Sequence, residues 1–123
     1  MGVMNSPEVL RDRTKQLALR IIKLVESLPG TVSARTIGNQ LVRSGTSVAA
    51  NYRACCRARS RADFIAKLGI VIEEADETAF WLELIIDSQI MKPERIEPLL
   101  SEANELVKIF VASRQTAKKN KNY

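Results

Sequence analysis

Four groups of residues in this chain have the types and spacing to do chemistry. Glu73, Glu74, Asp76 and Glu77 place several carboxylates on one helical face, because residues three and four apart are neighbours on a helix. Such a group can hold metal ions, but bundle sites of that kind add a Glu-x-x-His motif from other helices, and this chain has no histidine. The other reading is a solvated acidic face opposite a basic neighbour. Cys55-Cys56 is a vicinal thiol pair without Cys-x-x-Cys spacing, and one member falls on a core stripe, where cysteine packs as a small apolar residue. Cys56, if exposed, would feel the nearby arginines. Ser44, Ser47 and Asn51 share a helix face, but a serine nucleophile needs a base that this face does not provide. Polar contact between helices or subunits is the competing reading. The fourth group is Arg43, Arg53, Arg57, Arg59 and Arg61, whose planar guanidinium forks suit phosphate oxygens. No acid lies between Ser27 and Ala62, so these arginines have no partner in their own segment. They either bind a polyanion, mainly through phosphate and with little sequence specificity, or pair with an acidic helix across the fold.

Composition narrows these options. The chain has 123 residues, the size of one domain with one core. Its net charge of +5 favours an anionic partner, nucleic acid first and acidic protein second. Without histidine, the commonest general base and the commonest transition-metal ligand are both absent, so no cofactor or metal is expected and no catalytic set can be assembled. The adjacent cysteines are poorly placed to staple distant segments. No signal peptide is evident and no apolar run nears the ~20 residues that span a bilayer, so the expected setting is the cytoplasm, away from membranes.

Helices must position these groups. Ser6-Pro7-Glu8 reads as the start of a first helix, with a hydroxyl cap, proline at the first position and an acid in the first turn. Leu10, Thr14, Leu17, Ile21, Leu24 and Leu28 form its apolar stripe, and Pro29-Gly30 ends it. Thr31 or Ser33 caps a second helix with the stripe Ile37, Leu41, Ser44 or Gly45, Val48, Tyr52 and Cys55, expected to run to about Arg59. In that helix Arg53, Arg57 and Arg61 step by four along one face. Gly45 costs about 1 kcal/mol against alanine in a helix interior and makes sense if another backbone approaches closely. Ser60-Arg61-Ala62-Asp63 is a capping box for a third helix, with Phe64, Leu68, Val71, Ala75, Thr78, Leu82 and Ile85 inward. No basic residue interrupts it between Lys67 and Lys92. Pro93 and Pro98 are expected before or within the first turn of a fourth helix. Short links between four amphipathic helices predict an all-α, antiparallel up-down-up-down four-helix bundle over residues 6–117, with a loose N-terminus over 1–5 and a fraying basic tail over 118–123.

A helix-turn-helix is the alternative for Ile37 to Tyr52, with Gly45 in the turn and a recognition helix opening at Ser47. The apolar phase continues unbroken through Gly45, which predicts one continuous helix instead. A broad apolar face on the third helix, with Trp81 beside Leu82 and Ile85, and the small-residue face of the second predict subunit contacts. Ser44, Gly45, Ser47, Asn51 and Trp81 are therefore the candidate packing residues.

The run Gln40 to Ala54, with its core Ser47-Val48-Ala49-Ala50-Asn51, resembles the signature of the bacterial four helix bundle protein family. Its members include proteins encoded within intervening sequences of large-subunit ribosomal RNA genes. The resemblance continues through Ser60 to Phe64 and the acidic helix with Trp81 and Leu84, and covers roughly Leu10 to Phe110. Many members carry Glu-Gly where this chain has Ala54 and Cys55, which marks a divergent branch. The resemblance implies an up-down bundle, a homopentameric ring and no established enzyme activity. Similarity to the accessory proteins of diversity-generating retroelements also implies a basic nucleic-acid binder that partners a reverse transcriptase. Two functions from different classes follow as expectations: a non-enzymatic ring that binds RNA or DNA, or a structural module whose basic and acidic helices pair between subunits.

Overall fold

The computed structural model describes residues 5–120. They form α1 (Pro7–Glu26), α2 (Val32–Cys55), α3 (Arg61–Asp87) and α4 (Pro93–Lys119), with no strand among the described residues. Each helix packs chiefly on its neighbours in sequence, and α1 also meets α4, more loosely, to close the bundle. The result is the expected up-down-up-down bundle. Arg13 crosses the α1/α4 seam and grips the Glu102 carboxylate with two bonds, Nε to Oε2 at 3.0 Å and Nη2 to Oε1 at 2.8 Å. Of the loose N-terminus expected over 1–5, residues 1–4 lie outside the described residues, as does the end of the tail, 121–123. Lys118 and Lys119 continue α4 rather than opening a tail, because the helix pattern of amide-to-carbonyl bonds holds through Asn120 N to Thr116 O at 3.2 Å.

The apolar stripes become the core. Leu17, Ile21, Leu41, Val48, Leu68, Val71, Leu82, Ile85, Ile96, Leu106 and Phe110 are fully buried. The helix starts follow local chemistry. Ser6 accepts from Val9 N, Thr31 from Ala34 N and Ser60 from Asp63 N, each satisfying an amide that the first turn leaves free. Pro98 is a correction: it stands in the second turn of α4, beyond the first turn expected for it. Its missing N–H would have paired with Glu94 O, so about one helical bond is lost, and the helix continues on both sides.

α2 runs unbroken through Gly45, which removes the helix-turn-helix. A Cβ on Gly45 would lie 2.5 Å from Ile21 Cδ1 and 3.2 Å from its Cγ2. The close approach is thus real, but it is made by a buried α1 side chain rather than by another backbone. The end of α2 is a second correction: it stops at Cys55, short of Arg59. The cap of α3 competes for this segment. Ser60 must be extended (φ −159°, ψ 168°) to cap α3, and the Asp63 carboxylate takes the Arg59 N–H at 3.1 Å. The last turn of α2 tightens into bonds of the three-residue kind, Arg57 N to Ala54 O and Ala58 N to Cys55 O. Arg53, Arg57 and Arg61 therefore do not share one helix: Arg53 is in α2, Arg57 is in the turn after it, and Arg61 opens α3.

Candidate nucleic-acid interface

Antiparallel order brings the start of α1, the end of α2, the start of α3 and the end of α4 to one pole of the bundle. Arg53, Arg57 and Arg59 are exposed there, and the guanidiniums of Arg53 and Arg57 make no ion pair among the described residues. Between α1 and α2 at this pole lies a groove of about 780 Å³. Arg11 and Lys15 of α1 line it, with Arg53 and Arg57 from the α2 side, a floor of Thr46, Ala49 and Ala50, and the Cys56 thiol. Asp12 is its one acid, so the charge of the lining is strongly positive. Arg11 and Lys15 escaped the sequence reading as site residues. Their four-residue spacing off the apolar stripe was visible, but only the pairing of α1's start with α2's end brings them to the arginines.

The other predicted residues fall elsewhere. Arg43 is exposed in mid-α2 and pairs with Glu77 Oε2 at 3.4 Å, so for this arginine pairing with the acidic helix is what the geometry gives. Arg61 Nη1 donates to Ala117 O at 3.0 Å and caps the carbonyl end of α4, where a cation also meets the negative end of the helix dipole. Ser44 is buried, donates to Leu41 O, and lies 3.0 Å from Thr78 Oγ1 of α3. It is a polar contact between helices, with no base beside it. Asn51 Nδ2 donates to Ser47 O one turn back at 2.9 Å. Trp81 is half-buried, directs Nε1 at Glu77 Oε2 over 3.4 Å, and meets the exposed ring of Phe80 edge-on at 4.9 Å.

The remaining candidates resolve toward packing. Cys55 is buried, and burial first, then Cys56 beside it, pushes its thiol up to about 11. A thiol that holds its proton this tightly is a poor nucleophile. Both cysteines are free. Among the described residues no three acidic or sulfur side chains converge as metal ligands. Burial, with Glu77 adding to it, raises the Glu74 carboxyl, and Glu74 Oε1 is buried without a hydrogen-bond partner among the described residues. No helix among the described residues is long and apolar enough to cross a membrane.

Comparison with known proteins finds a matching family and a solved relative. Residues 9–112 fit the family model described as 23S rRNA-intervening sequence protein. A solved structure of a protein of unknown function from the S23 ribosomal protein family of Bacteroides thetaiotaomicron is 36% identical and superposes with a TM-score of 0.82, covering 89% of this chain and 97% of that one. A search of the curated proteins found no match.

Proposed function

Because this chain belongs to the 23S rRNA-intervening sequence protein family, which is not a known enzyme family, we propose that it is a non-enzymatic, homo-oligomeric protein that binds RNA or DNA through its basic pole. The observation that carries this reading is the unpaired arginine pair. Arg53 and Arg57 face solvent beside Arg11 and Lys15 although six acids, Glu73 to Asp87, stand on α3. No acid within the subunit, among the described residues, claims either guanidinium, which leaves both open to phosphate. Contacts would go mainly to phosphates, so sequence specificity is low. The absence of a base near Ser44 and the protonated Cys55 support the non-enzymatic part of the reading. The oligomer is a ring, with the five-fold order that the resemblance implies, and its place is the cytoplasm.

The test is fluorescence anisotropy with a generic RNA and a generic DNA at several salt concentrations. If the four groove cations each neutralise one phosphate, log affinity for a single strand falls with log salt at a slope of about −3. A flat salt dependence, or no binding to either polymer at low salt, overturns the proposal in favour of a module that only pairs helices between subunits.

A further inference from the structure

Resting on that nucleic-acid reading, we propose that the α1/α2 groove seats a single strand and not a duplex, with its phosphates between the two cationic walls and a sugar or base on the alanine floor. Three observations point this way. The volume, about 780 Å³, lies within the roughly 300–1,000 Å³ of sites that enclose small ligands, the scale of one or two nucleotides. The charges are arranged as walls, Arg11 and Lys15 on one side and Arg53 and Arg57 on the other, so a polyanion can pass between them instead of resting on a flat patch. The floor residues Thr46, Ala49 and Ala50 are short, which leaves room for the strand to sink between the helices.

A duplex cannot do this. Adjacent packed helices lie about 8–10 Å apart, and a double helix is too broad to enter the cleft between them. It can touch only the rim. No aromatic ring lines the groove, so bases are not held by ring stacking. The guanidinium planes of Arg53 and Arg57 can stack on bases in their place. Asp12, the one carboxylate, can accept from a ribose 2′-hydroxyl or a base amino group while remaining too few in charge to repel the strand.

The alternative occupant is the acidic α3 of a second copy, and one substitution separates the two. Ala50 is exposed on the groove floor, and leucine is nearly as good a helix former as alanine, so Ala50→Leu fills the groove without removing a charge or disturbing the core. The probes are a fluorescein-labelled twelve-nucleotide oligouridylate and a blunt duplex of the same length, with circular dichroism to verify the fold and light scattering to read the oligomer. The expected result is that Ala50→Leu weakens the single strand by about tenfold, a typical penalty for overfilling a packed contact, and leaves the duplex unchanged. Equal effects on both probes, or none, overturn the groove while leaving surface binding to nucleic acid intact. Failure of the unsubstituted protein to bind either probe overturns the broader reading as well. Loss of the oligomer on Ala50→Leu with oligouridylate binding retained assigns the groove to a subunit contact and overturns the inference.

Discussion

At the scale of single residues, the arginines divide by what already holds them. Arg61 is engaged with Ala117 O and Arg43 with Glu77, while Arg57 is exposed and unpaired among the described residues. Arg57→Ala should therefore weaken binding across all nucleic-acid sequences and lower the salt slope by about one. Its unfolding free energy should change by less than about 0.5 kcal/mol, since no ion pair of the described residues is lost. If Arg57→Ala unfolds the bundle and leaves binding unaltered, the arginine is structural. The buried sulfur makes a different prediction. Cys55 keeps its proton up to about 11 in the fold, against an ordinary value of 9.0, and burial shifts Tyr52 in the same direction. Between those two values the unfolded chain has released the thiol proton and the folded chain has not, so stability falls as pH rises through that window and is unaffected below it. Urea melts at successive pH values should show this alkaline loss, and Cys55→Ala should make it shallower. An unchanged pH profile in that variant would mean that the thiol titrates freely in the folded protein.

At the scale of the elements, α2 records both how far the sequence could be read and where it could not. The periodic spacing from Ile37 to Cys55 was enough to carry the helix through Gly45 and to place Ser44, Val48 and Tyr52 inward, because burial repeats at the helical period. The close neighbour of Gly45 was also legible, though not its nature as a side chain. The end of the helix was not legible. Nothing in Cys56 to Arg59 breaks a helix by itself; the segment unwinds as Ser60 turns extended to cap α3 and Asp63 takes the Arg59 N–H, a contest between two elements. The groove escaped the sequence for a related reason: Arg11 and Lys15 meet Arg53 and Arg57 only after the bundle has set its ends side by side. The Gly45 contact gives a prediction at this scale. Alanine would gain about 1 kcal/mol of helix propensity but must displace Ile21, which is fully buried, and overpacking costs about 1–3 kcal/mol. Gly45→Ala should be net destabilising by about 1 kcal/mol, whereas Gly69→Ala, whose nearest neighbour is Arg114 Nε at 3.4 Å, should be neutral or stabilising. Ile21→Val removes the Cδ1 atom in the way, so the double variant should lose less than the two single losses added together. Strict additivity in chemical denaturation would show that Ile21 is not what Gly45 accommodates.

At the scale of the whole molecule, the pole formed by the ends of α1, α2, α3 and α4 gathers Arg11, Lys15, Arg53, Arg57 and Arg59, all exposed, while the outer face of α3 carries Glu73, Asp76, Glu83 and Asp87, also exposed. These positions step by three and four, and Phe80 occupies the middle of the same stripe at 51% exposure with Trp81 against its edge. A large exposed ring in the centre of an acidic stripe has the layout of an interface, with an apolar anchor and a charged rim. In the proposed ring this stripe would meet a different face of the next subunit, away from the basic pole, a head-to-tail contact that closes when the rotation per subunit divides a full turn. Phe80→Asp places a charge at the anchor while leaving the core untouched, because Phe80 faces away from it. On the proposed ring reading, the variant should keep its helical circular dichroism and run as a monomer by light scattering at micromolar concentration, with the unsubstituted protein running as an oligomer. Its Trp81 emission should shift to the red as the indole loses the covering subunit. If the unsubstituted protein is itself a monomer at that concentration, the ring is refuted; if Phe80→Asp leaves the oligomer intact, the subunit contact lies on another face. Nucleic-acid affinity should also fall in the monomer even with Arg53 and Arg57 unchanged, since each ring subunit adds its own pole at high effective concentration to one strand.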